Sequence, residues 1–108
     1  MRLTIVTGAP GSGKTTWVEA RRQPGDLVFD MDAVAAAMFG MPKYPRPESV
    51  NACMIALRLW LLEWMQRTQF NGTAYIIVKS LAKARTIARL NRARLVMIDE
   101  KHEATLLL

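Results

Sequence analysis

Cysteine and histidine are nearly absent from this sequence: Cys53 and His102 are each alone among 108 residues. A single cysteine closes no internal disulfide, so the fold must stand on its hydrophobic core, and a reducing cytoplasm is the expected compartment. Cys53 itself reads as a small apolar residue buried on a helix. With no cysteine or histidine cluster to join, His102 argues against a transition-metal site and is expected on the surface. Long apolar runs are missing too. The most apolar stretch, Met54 to Met65, is broken by Arg58 and Glu63 and is too short to span a bilayer, so no membrane partner is expected. No charged-then-apolar leader precedes the first strand-like residues, so no signal peptide is expected. Repeats and low-complexity tracts are absent as well.

Acidic residues are scarce in one region. Lys79 to Arg94 holds six basic side chains and no acidic one. The net charge of +6 is therefore uneven: residues 1–50 carry six basic and five acidic groups, residues 51–108 nine and four. A basic helix over 79–94 would attract polyanions, whether nucleic acid, a phosphorylated substrate or a nucleotide. A solvated basic helix with no partner explains the same residues. The chain is 51% hydrophobic, ample for a buried sheet flanked by helices, and residues 1–108 read as one domain.

The most informative stretch is Gly8-Ala9-Pro10-Gly11-Ser12-Gly13-Lys14-Thr15, directly after the apolar run Leu3-Thr4-Ile5-Val6-Thr7. It fits the Walker A pattern between a strand and a helix. Glycines let the backbone wrap closely round a polyphosphate, so that successive N–H groups point at its oxygens. The helix that starts near Lys14 adds the positive end of its dipole. Lys14 is expected to reach the β- and γ-phosphates of ATP, and the Thr15 hydroxyl to complete the coordination of Mg²⁺. Gly8, Pro10, Gly11, Ser12, Gly13, Lys14, Thr15 and Thr16 are the expected nucleotide-binding residues.

Around this loop the pattern alternates strand and helix. Strands are expected at 2–7, 27–30, 73–78 and 95–98, and helices at 14–22, 31–40, 48–69 and 81–91. Residues 101–108 read as the start of another helix. Met41 to Pro47 contains three prolines in seven residues and reads as a stiff surface connector. For Tyr44 and Arg46 within it, a spacer is the default, against a packing clamp or a substrate-facing loop. Val50, Met54, Leu57, Leu61 and Trp64 share one face of the long helix, while Ile55, Leu59 and Leu62 make another side apolar. Such a helix is either sandwiched in the fold, which is the preferred expectation, or shared with a second copy in a homodimer through Trp60 or Trp64. On the helix after the third strand, capped by Ser80, Arg85, Arg89 and Arg92 are expected on one face. Strands alternating with helices imply a three-layer α/β fold with its site at the strands' C-terminal ends.

Two acidic pairs follow strands. Asp30-Met31-Asp32 ends the second strand and opens a helix. There, one carboxylate can take a proton from an attacking hydroxyl or hold a Mg²⁺-bound water. Asp32, on the turn, is the preferred base, and Asp30 either supports the metal or caps the helix. Leu95 to Ile98 followed by Asp99-Glu100 resembles a Walker B strand. Asp99 would then hold Mg²⁺ through water and Glu100 polarise an attacking water, which makes a nucleic-acid-associated ATPase the alternative, although a plain strand terminus explains the same residues.

The phosphate loop, the Asp-x-Asp and the basic helix together resemble kinase-type P-loop proteins. The nearest are the polynucleotide-kinase and zeta-toxin-like group and the small ATP-binding AAA domain proteins of bacteriophages. That resemblance implies a P-loop NTPase fold with a small parallel sheet of about four strands ordered 2-3-1-4. It gives full-length members a fifth strand and an arginine-bearing lid, which would be starting where this chain stops. It implies that Asp32, or less directly Asp30, activates a hydroxyl acceptor for the γ-phosphate of ATP, alongside Lys14. In the lid's absence Arg85 or Arg89 would supply positive charge. A nucleotide-binding regulatory module with weak turnover is the other alternative.

Overall fold

The computed structural model describes residues 2–99 and 102–107. Its contacts gather into two compact units, Met1–Val28 with Asn71–Leu108, and Phe29–Phe70.

The first unit is organised round β1 (Arg2–Thr7). Leu3, Ile5 and Val6 are buried, and so are Thr4 and Thr7, as befits a strand paired on both sides. β1 runs parallel to β3 (Thr73–Ile77), with Ile5 beside Ile76. On its other edge it runs parallel to β4 (Arg94–Asp99), with Ile5 beside Leu95. α1 (Lys14–Arg21) and α4 (Leu81–Leu90) are the helices of this unit. Its core joins Val6, Val18, Tyr75, Ile77, Val96 and Ile98, with Trp17 and Val28 packed against them. β2 (Leu27–Asp30) carries the chain out of this unit, and β5 (His102–Leu106) follows β4. The sheet is ordered β2-β3-β1-β4-β5, which contains the expected 2-3-1-4 order and adds a strand.

That added strand corrects the helix start expected after residue 101. β5 pairs antiparallel with β4, with Val96 beside Thr105. Alanine, glutamate and leucine favour a helix, but a stretch this short gains little from propensity and more from pairing. Alternate side chains of β5 also find partners. Glu103 accepts hydrogen bonds from Trp17 Nε1 at 2.9 Å and from Arg21 at 3.3 Å, and Thr105 Oγ1 accepts one from Arg94 at 3.2 Å.

The second unit is helical. α2 (Met31–Phe39) stops at Gly40, and α3 (Glu48–Thr68) follows the proline-rich connector. Ala35, Val50 and Met54 form its core, with Met31, Val34, Cys53 and Leu57 packed round them, so Cys53 packs against apolar side chains but is half-buried rather than buried. The expected all-round burial of α3 is not found. Val50, Met54, Leu62 and Met65 are buried, whereas Ile55, Leu59 and Trp60 are exposed. The connector also departs from expectation: its arginine, Arg46, is buried. Among the described residues no helix is long and apolar enough to cross a membrane.

Candidate functional site

In the first unit β1 delivers the chain into Gly8 and α1 leaves it at Lys14. Between them the loop turns tightly, with Ser12 N–H donating to the Ala9 carbonyl at 3.1 Å. Gly13, the N-cap of α1, has φ 97°, a left-handed conformation that side chains resist. No side chain caps α1 and its first turn holds no acidic residue. The other helices differ: α2 is capped by Asp30, α4 by Ser80 as expected, and α3 has Glu48 in its first turn. Helix N-termini leave N–H donors that need acceptors, and α1 is the helix whose sequence supplies none. That is the signature of an anion site.

The side chains agree with this reading. Lys14 is buried, and its ammonium bends back over the loop, donating to the carbonyls of Gly8 at 2.7 Å and Ala9 at 2.9 Å. The Ser12 hydroxyl is buried with no hydrogen-bond partner, a donor held inside the loop. Gly8 lies hard against β4. A Cβ there would collide with the Ile98 carbonyl oxygen and come 2.6 Å from Ser12 Oγ. Gly8→Ala is therefore expected to displace the loop, costing about 3 kcal/mol of stability and most of the nucleotide affinity. Calorimetric melting with an ATP titration checks it, and an unchanged melting temperature and affinity would refute the tight approach.

Pro10 and Gly11 in the loop and Thr15 and Thr16 in the first turn of α1 are exposed. A Mg²⁺ ion of a P-loop site takes most of its ligands from phosphates and water, so one hydroxyl such as Thr15's is a sufficient protein contribution. Among the described residues no group of three potential metal-ligating side chains is assembled. The glycine approach, the uncapped helix, the lysine and the inward hydroxyl together fit a polyphosphate with its metal.

The Gly8 contact with Ile98 also sets the end of β4 beside the loop, and Asp99, the next residue, is exposed there. Glu100 lies outside the described residues. The basic segment is less regular than expected. Lys83 and Arg89 are exposed on α4 and Arg85 is half-buried, but the helix ends at Leu90. Arg92 stands beyond it at φ 52°, off the face expected to join Arg85 and Arg89. Arg94 belongs to β4. The turn after α4 breaks the helical spacing that would carry Arg85 and Arg89 on to Arg92.

In the second unit the two aspartates divide their work. Asp30 is the N-cap of α2, its Oδ1 accepting from the Asp32 N–H at 3.1 Å. Asp32, in the first helical turn, accepts through Oδ1 from Arg46 Nη1 at 2.9 Å. Arg46 also donates to Asn51 Oδ1 at 3.3 Å, and the Tyr44 ring lies 4.1 Å from its guanidinium carbon. Burial works against its charge, yet the hydrogen bond to Asp32 and the contact with Tyr44 leave its pKa raised. Sequence reasoning left Arg46 a spacer. The available signal was an arginine held between prolines beside a tyrosine, in a stretch too stiff to be idle.

A family model described as an AAA domain matches residues 3–104, which takes in both units. No curated protein matches the chain significantly.

Proposed function

The chain belongs to the AAA domain family, a kinase-like family of P-loop NTPases, and from that premise we propose a small ATP-dependent phosphotransferase. The observation that carries it is the uncapped, glycine-built start of α1 with Lys14 folded over it. In this reading Gly8, Pro10, Gly11, Ser12, Gly13, Lys14, Thr15 and Thr16 hold ATP, and Thr15 contributes to Mg²⁺. The metal supplies charge neutralisation on the phosphates. Asp32 accepts the proton of an acceptor hydroxyl as its oxygen bonds to the γ-phosphorus, and the bond to the β,γ-bridging oxygen breaks to release ADP. The acceptor is a polynucleotide end, a nucleoside or a small metabolite, and Lys83, Arg85 and Arg89 favour one that carries phosphate. The single cysteine fits a cytoplasmic setting.

γ-Labelled ATP offered with a 5′-hydroxyl oligonucleotide, nucleosides and polyols tests the reading: label is expected on one acceptor class. Release of labelled phosphate alone, lost on Asp99→Asn, would instead establish the ATPase alternative, which the closeness of β4 to the loop favours as the second reading. Nucleotide binding without release or transfer would leave a regulatory module.

The exposed face of α3 supports a second copy as partner. Ala52, Ile55, Ala56, Leu59 and Trp60 lie exposed along it, and Trp60 stacks on Trp64 with ring centroids 6.2 Å apart. Glu48 stands in the first turn and Arg67 in the last, so two antiparallel copies would set opposite charges together at both ends. Leu59→Glu is expected to convert a dimer into a monomer in light scattering. A wild-type chain that stays monomeric at high micromolar concentration would remove this partner.

A further inference from the structure

We infer that Arg46 is a positioning residue for Asp32, delivered to it by the proline-rich connector. The inference rests on the phosphotransfer reading of Asp32 and goes beyond it by naming what holds that carboxylate. Arg46 occupies the centre of the second unit's polar network. Its Nη1 donates to Asp32 Oδ1 at 2.9 Å and to the carbonyls of Pro42 at 3.2 Å and Met41 at 3.4 Å. Its Nε donates to Asn51 Oδ1 at 3.3 Å, and Asn51 Nδ2 returns a bond to the Arg46 carbonyl at 3.4 Å. The Tyr44 ring covers the guanidinium, and the Tyr44 hydroxyl lies 3.8 Å from the Met31 sulfur. One side chain thus ties the first turn of α2, the connector and the first turn of α3.

A structural staple alone does not need this residue. Buried arginine is rare, because taking a charge out of water is repaid only by good partners, and a well-packed apolar side chain often does as well or better. Here the Arg46 side chain is 0% exposed and its Nη2 is buried with no acceptor, while Nη1 is aimed at Asp32. The guanidinium is placed for the carboxylate, at the expense of its own hydrogen bonding. Exposure separates the two roles. Asp32 keeps 29% of its side-chain surface open, so a substrate can touch it, whereas Arg46 can act only through Asp32. The prolines at 42, 45 and 47 restrict the connector, so the arginine arrives with little conformational freedom left to lose. The raised pKa of Arg46 keeps its guanidinium charged beside Asp32. Its contribution is orientation: a base misplaced by about 1 Å costs roughly 100-fold in rate.

A double-mutant cycle on transfer separates acting through Asp32 from merely stabilising the fold. Wild type, Arg46→Gln, Asp32→Asn and the double variant are compared with γ-labelled ATP and whichever acceptor the wild type labels. Arg46→Gln is expected to lower kcat about 30-fold to 100-fold with the KM for ATP within about twofold, because the loop in the first unit is untouched. The double variant should be no slower than Asp32→Asn alone, since an arginine that works through a carboxylate has nothing to add once it is gone. Arg46→Lys keeps the charge but offers one contact in place of a fork and should recover only part of the rate. Losses that multiply in the double variant, or an Arg46→Gln rate equal to wild type, would overturn the inference. If the wild type labels no acceptor, the phosphotransfer reading fails by itself. The same four chains then decide the Arg46–Asp32 coupling by thermal unfolding, where additive shifts in melting temperature would overturn it.

Discussion

Lys14→Ala is expected to weaken ATP binding by about 100-fold or more while leaving a folded chain. Two effects of unequal size are involved. In the fold, the Lys14 ammonium donates to the Gly8 and Ala9 carbonyls at 2.7 and 2.9 Å. Losing those bonds removes some stability, but it also relieves the burial of a charge, so the net loss is about 1 kcal/mol, or about 5 °C in melting temperature. Towards a triphosphate the same ammonium makes charge-assisted bonds to oxygens that carry full negative charge. Those are worth about 3 kcal/mol or more, and no other side chain of the loop replaces them. Lys14→Arg should not rescue binding, because the planar guanidinium cannot settle between two loop carbonyls as a compact ammonium does. Titration calorimetry with ATP and Mg²⁺, beside a melting curve, measures both terms. An alanine variant that binds ATP within threefold of wild type would show that the glycine loop is not the phosphate site.

Much of the fold was legible because its signals are local. β1 and β3 are built mostly from apolar and β-branched residues, and such runs announce parallel strands buried on both faces. The Walker A spacing placed the turn, the left-handed glycine and the helix start together, since that geometry tolerates few other residues. What stayed hidden depends on distant partners. β5 is a strand because β4 offers it an edge and because Trp17 and Arg21 bind Glu103, none of which its own residues reveal. The exposure of Ile55 and Leu59 depends on which side of α3 the rest of the fold covers, and an apolar count cannot choose a side. Arg92 left its expected face because the chain turns at residue 91, a break that helical spacing alone does not report. Arg46 was the largest omission. A buried cation is visible only once the carboxylate fourteen residues earlier is seen to meet it.

The aspartates give the sharpest test of the proposed chemistry, because they have different partners within one helical turn. Asp32→Asn is expected to reduce phosphotransfer by about 10³-fold, within the usual range for loss of a general base, and to leave ATP affinity unchanged. The side chain keeps its size and can still accept from Arg46 through its carbonyl oxygen. What it loses is the capacity to take a proton from an attacking hydroxyl. Asp30→Asn removes a carboxylate two residues away and should change the rate little. Asp30 Oδ1 accepts from the Asp32 N–H as the cap of α2, and asparagine is an equally good cap. Asp30→Ala, by contrast, should cost about 1 kcal/mol of stability through the lost cap, with any fall in rate following the fall in folded fraction. Initial rates with labelled ATP, normalised to protein that binds nucleotide, separate these outcomes. Equal losses for the two asparagine variants would mean that both carboxylates serve the reaction. A large loss for Asp30→Asn alone would move the base to Asp30 and take from Arg46 its reason for being buried.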